Sequence, residues 1–240
     1  MKRLMVAAVV AVCGVAAVAA PADGGMPVSA NVRGHENTEW STAYAFHLAD
    51  ELKSLPRVFI VGDSISGQYR DFVQKDLEGS VNVSYWISSY CVTSPSYLKF
   101  LEIYLDEAKY DVIHFNNGLH SLGTPTGDYA RELEKALRLI RRKQPHAKII
   151  WATSTPLNGR APVRAKKVLE LNAAAADVVA RVGGIETDDL FALLDPLDRD
   201  ANWGDEFHHK VETRKMTAKK VTEAILVAVG IDKENAKRIR

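Results

Sequence analysis

Residues 58–65 read Val-Phe-Ile-Val-Gly-Asp-Ser-Ile. Four apolar residues, three of them β-branched, suit a short strand buried on both faces. Gly62 breaks the run, and Asp63-Ser64 follow at once. From Ser66 to Leu77 the spacing turns helical, with Tyr69, Phe72, Val73 and Leu77 on one side. Ser64 therefore falls at the carboxyl end of a central strand, on the turn into a helix. Open parallel sheets hold their ligands at that edge. The helix start offers free N–H groups and the positive end of a dipole to an anion. A serine placed there can attack a carbonyl and meet the oxyanion that forms. Asp63 is expected to organise the turn; taken alone, Ser64 could equally cap the helix.

The alternation continues downstream. Strand 58–61 leads to helix 66–78, strand 82–87 to helix 95–109, strand 111–116 to helix 128–143, and strand 147–153 to helix 161–182. A weaker segment at 184–190 precedes a short helix, an irregular loop at 195–210 and a last helix near 211–229. Strands and helices in this order predict parallel strands joined by right-handed crossovers. The expected fold is a three-layer α/β/α sandwich of about five parallel strands, occupying residues 56–240. Functional groups should gather on Ser64, the loops 88–95 and 116–127, Thr153-Ser154-Thr155 and the loop 195–210.

The amino-terminal part reads differently. Lys2 and Arg3 precede an apolar Ala/Val-rich run to Ala20, and Ala17-Val18-Ala19 offers a small-x-small cleavage pattern. Residues 1–20 are thus expected to be a secretory signal peptide, which predicts a secreted or periplasmic protein with no stable membrane insertion after cleavage. Residues 21–55 read as a leader or linker, with room for a short helix from Trp40 to Leu55. The 240-residue chain carries 31 basic and 30 acidic side chains; without Lys2 and Arg3 the basic count is 29. Such a balance argues against nucleic acid as a partner. The cluster Arg138, Arg141, Arg142 and Lys143 falls at a helix carboxyl end, where cations complement the dipole. Once Cys13 leaves with the signal, only Cys91 remains. No internal disulfide can form, so the core must carry stability.

Two further segments carry chemistry. A serine hydroxyl is a poor nucleophile at pH 7 until a base takes its proton, and that base needs a partner to fix its tautomer. Asp205-Glu206-Phe207-His208 can supply both from one loop. His114-Phe115-Asn116-Asn117-Gly118-Leu119-His120 ends the third strand of the alternating region, and an Asn amide there can donate to an oxyanion. His114, His120, His208 and His209 could instead gather round a metal, but no two are spaced i, i+4 and the serine would be unexplained. No metal and no cofactor is therefore expected. His120, Thr153 and Trp203 fall at the functional edge and are candidates to line a substrate site.

Together these segments resemble the SGNH hydrolases, also called the GDSL esterase/lipase superfamily. Gly62-Asp63-Ser64-Ile65 resembles the first block, with Ile in place of Leu. Asn116-Asn117-Gly118-Leu119-His120 is similar to a variant third block, and Asp205 with His208 matches the fifth. The resemblance runs in block order from about residue 56. It implies a flavodoxin-like sheet and ester hydrolysis through an acyl-serine intermediate; joined to the expected signal peptide, this gives a secreted serine esterase. The implied site is Ser64, Asp205 and His208, with an oxyanion hole from Ser64, Val92 and Asn116, Asn117 being the alternative. Val92 stands where the second block has Gly, so its N–H serves only if the local dihedrals suit a β-branched residue. Glu206 stands where the family often has Gly. The implied partner is an ester substrate, an acylated carbohydrate or a small soluble ester. An acyltransferase with the same site, or an inactive carbohydrate-binding domain of the same fold, would share these motifs.

Overall fold

The computed structural model describes residues 38–44, 54–159 and 162–232. The expected signal peptide and most of the leader lie outside them. Six strands form one sheet: β1 (Ser41–Tyr44), β2 (Arg57–Gly62), β3 (Asn82–Ser88), β4 (Val112–Phe115), β5 (Lys148–Ala152) and β6 (Ile185–Asp188). The spatial order is β1-β3-β2-β4-β5-β6. The five strands from β2 onward are parallel, and without β1 their order is that of a flavodoxin-like doubly wound sheet. β1 is antiparallel to β3 and extends the sheet by one strand beyond the expected five. It also replaces part of the helix expected from Trp40 to Leu55; residues 45–53 lie outside the described residues. Ser-Thr-Ala-Tyr has no buried face of its own, and pairing with β3 makes it a strand.

The main helices are α1 (Ser64–Leu77), α2 (Tyr97–Asp106), α3 (Thr126–Lys143) and α4 (Pro162–Val182). Two short ones follow, α5 (Leu190–Leu194) and α6 (Arg199–Asn202), before α7 (Val211–Val229). Side chains alternate across a strand, so β2 feeds two cores. Phe59 and Val61 pack with Trp86, Phe115 and Trp151 against α2, α3 and α4. Val58 and Ile60 pack with Val83, Ile87 and Ile150 against α1 and α7. The result is the three-layer sandwich. Trp86 and Trp151 are fully buried, and each removes a large apolar area from water, worth on the order of 2–3 kcal/mol relative to exposure.

At the carboxyl end of β2 the chain makes a tight turn into α1. Asp63 is the N-cap, its Oδ1 accepting from the Ile65 N–H at 2.9 Å. Ser64 is thereby the first helical residue and not the cap. Only glycine fits at 62: a Cβ there would lie 2.0 Å from Ser66 Oγ. Gly118 is also closely approached: a Cβ would lie 1.8 Å from Ser154 Oγ, which would have to turn away. The turns after β2 and β4 are therefore built by close approach of backbone to a neighbouring side chain.

Candidate active site

Ser64 and His208, 144 residues apart, meet on this edge: His208 Nε2 lies 2.9 Å from Ser64 Oγ. His208 Nδ1 lies 2.8 Å from Asp205 Oδ2. With the ring proton on Nδ1 and donated to Asp205, Nε2 is left to accept from the serine hydroxyl. Asp205 Oδ1 also accepts from the backbone N–H groups of Phe207 and His208, both at 2.8 Å. Partial desolvation pushes the Asp205 carboxyl up, but its hydrogen bonds from His208 and Phe207 outweigh that and hold it below the usual carboxylate range. Asp205 thus remains an anion facing the imidazole, and a proton moving onto Nε2 would be stabilised by a charge already in place.

The loop carrying Asp205 and His208 is stapled from several sides. Asn158 N–H donates to Glu206 O at 2.9 Å, and Gly204 N–H to His208 O at 2.8 Å. His209 N–H donates to Gln68 Oε1 on α1 at 3.0 Å, which ties the base's loop to the nucleophile's helix. Glu206 pairs with Arg164 of α4 at 3.3 Å, so this carboxylate has a cation beside it. The neighbouring His209 is buried edge-on to Trp203. Burial, then repulsion from a protonated His208 and from Arg214, push its imidazole down to about 4, so it is neutral at pH 7.

The residues expected to form an oxyanion hole have uneven placements. Ser64 N–H is at the first position of α1, where no intrahelical acceptor exists. Val92 N–H donates to Asn117 Oδ1 at 3.2 Å. Val92 has no positive φ, as is true of every described residue other than glycine; the exchange of Gly for Val brings no left-handed strain. Asn117 is a clamp: its Nδ2 donates to Tyr90 O at 2.8 Å, and its Oδ1 also accepts from Ser121 Oγ at 3.0 Å. Asn116 Nδ2 donates one hydrogen to Ala152 O at 2.7 Å; the amide has a second.

Two of the proposed substrate-lining residues are occupied elsewhere. Trp203 is 2% exposed, with its Nε1–H on Pro156 O at 3.2 Å and the Arg199 guanidinium over its ring. It packs beneath the loop and lines no open site. Thr153 Oγ1 donates to Asp189 Oδ1 at 3.0 Å and accepts from Phe191 N–H at 2.8 Å, so it fastens α5 to β5. His120, in the 3-10 turn Leu119–Ser121, is half-buried at the rim, its ring edge-on to Trp40. The four histidines do not converge. His114 is buried in β4, its Nε2 3.2 Å from Asp188 Oδ2, a core pairing. Among the described residues no group of three His, Cys, Asp or Glu is arranged to hold a metal. Cys91 is buried, its sulfur against Thr93 and Ser94.

A scan against protein-family models matches no family, and a search of curated proteins finds no match. Solved structures do match. The chain is similar to a lipolytic G-D-S-L family protein of Veillonella parvula, at 18% identity and a TM-score of 0.59, over 70% of this chain and 96% of that one. It is similar to a carbohydrate esterase family 3 protein of Talaromyces cellulolyticus, at 14% identity and a TM-score of 0.61, over 74% and 100%. A family two carbohydrate esterase of Clostridium thermocellum, in complex with cellohexaose, aligns at 16% identity and a TM-score of 0.56, over 73% and 65%. At these identities the likeness concerns architecture. The chain has the fold of the SGNH, or GDSL, hydrolases.

Proposed function

We propose that this chain is an exported serine esterase acting on an acylated carbohydrate. The observation that carries this reading is the continuous hydrogen-bonded chain from Ser64 through His208 to Asp205. His208 Nε2 takes the hydroxyl proton as Ser64 Oγ bonds to the ester carbonyl carbon. The tetrahedral oxyanion is met by Ser64 N–H and the second Asn116 N–H. Val92 N–H is held by Asn117 Oδ1 at 3.2 Å and joins as a third donor only by exchanging that partner for the oxyanion. Nε2 then protonates the departing alcohol oxygen as the carbon–oxygen bond breaks, leaving an acyl-serine. Water repeats the sequence, giving its proton to Nε2 and releasing the carboxylic acid and free Ser64.

Export is inferred from the charged, apolar amino terminus, and the sugar alcohol from the neighbours described as carbohydrate esterases. The test is turnover of p-nitrophenyl acetate and of acetylated xylo-oligosaccharides. Ser64→Ala and His208→Ala should each lower kcat by about 10⁶-fold at unchanged melting temperature. Activity surviving in both variants would remove the assignment. Amino-terminal sequencing of the exported protein should find a start near residue 21.

A further inference from the structure

Trp40 precedes the α/β core in sequence, yet it is held on the carboxyl edge of the sheet. Its N–H donates to Ser89 Oγ at 2.8 Å, and its carbonyl accepts from Ser89 N–H at 3.0 Å. The residues on either side are fixed as well. Glu39 accepts from Ser94 Oγ, and Ser41 Oγ accepts from the buried Trp86 Nε1–H at 2.7 Å. On this fixed backbone Trp40 is 41% exposed, with its ring edge-on to His120 at a centroid distance of 6.2 Å.

The register locates this indole relative to the nucleophile. Gly62, the last residue of β2, is paired with Ile87, and Ser41, the first of β1, with Ser88. Trp40 bonds Ser89 just past the end of β3, and Ser64 begins α1 just past the end of β2, so both lie at the same end of the sheet. β1 and β2 flank β3 and are two strand spacings, about 10 Å, apart. His120 follows β4, on the other side of β2. A contact between Trp40 and His120 therefore spans the ends of β3 and β2, the edge on which Ser64 sits. An acyl group on Ser64 with a sugar as its alcohol would extend across a comparable distance.

We propose that Trp40, supported by His120, is the stacking platform for the sugar ring of the ester's alcohol. An exposed indole on a fixed backbone offers a flat apolar face at little entropic cost, and the apolar face of a pyranose fits it. The strand that precedes the core thereby determines specificity. The inference rests on the esterase reading above.

The experiment compares wild type, Trp40→Ala and Trp40→Phe on acetylated xylotriose and on p-nitrophenyl acetate, which has no sugar. Relative to p-nitrophenyl acetate, kcat/KM for the acetylated sugar should fall about tenfold in Trp40→Ala, chiefly through KM, and return to within about threefold of wild type in Trp40→Phe. An unchanged ratio, or an equal loss on both esters, would overturn the platform. Those outcomes leave the esterase reading intact, because Ser64→Ala in the same assay reports on it separately. A wild-type protein inert to both esters would remove both.

Discussion

The 2.9 Å contact between Ser64 Oγ and His208 Nε2 requires an accurately placed nucleophile, and the close approach of Gly62 to Ser66 sets the turn that places it. A methyl at position 62 would collide with Ser66 in the first turn of α1. Gly62→Ala should destabilise the fold by about 1–3 kcal/mol, read in urea unfolding, and should lower kcat more than a distant mutation of equal cost. Gly62 and the Asp205–His208 pair are legible in the sequence, because a strand-ending Gly-Asp-Ser and an Asp-x-x-His dictate local geometry; the contact of His208 with Ser64 is tertiary. The tryptophans are not legible. Trp203 sits in the loop that carries Asp205 and His208, yet Pro156, Arg199 and His209 enclose it; Trp40 lies in an unpatterned leader, yet it contacts His120. Which indole is exposed depends on tertiary neighbours that no local pattern encodes.

Among the elements, the loops after β3 and β4 act as one unit through Asn117, which bonds Tyr90 O, Val92 N–H and Ser121 Oγ. Asn117→Ala leaves a buried N–H and a carbonyl without this partner. It should cost about 2–4 kcal/mol in urea unfolding. The sequence places Asn116 and Asn117 on the correct edge, but their division of labour follows from which carbonyls happen to face them. The parallel strands are legible for a simpler reason: β2 to β5 are mostly buried apolar runs. β6 is a sheet-edge strand with two exposed residues and gives a weak signal. β1, wholly exposed, gives none and exists through its pairing with β3.

On the scale of the whole molecule, stability and the site share a loop, and pH acts on both. His209 is buried, with its imidazole pushed down to about 4. The unfolded chain, with an ordinary imidazole near 6.5, takes up a proton first as pH falls. Stability from this group is therefore complete above about pH 6.5 and declines toward pH 4, by up to about 3 kcal/mol. Asp205, held below its ordinary range, adds a further loss as pH falls through its folded-state value. Urea midpoints between pH 7.5 and 4.5 should show the decline, and His209→Gln should flatten it; a slope equal in both proteins would contradict the assignment. The same loop must cross 144 residues of sequence to meet Ser64, and the account depends on that meeting. Its most direct test is mass spectrometry after exposure to a fluorophosphonate, which reacts with an activated serine. A single adduct on Ser64, formed at least 100-fold more slowly in His208→Ala, is the predicted result. No adduct, or labelling of Ser64 at the same rate without His208, would contradict it.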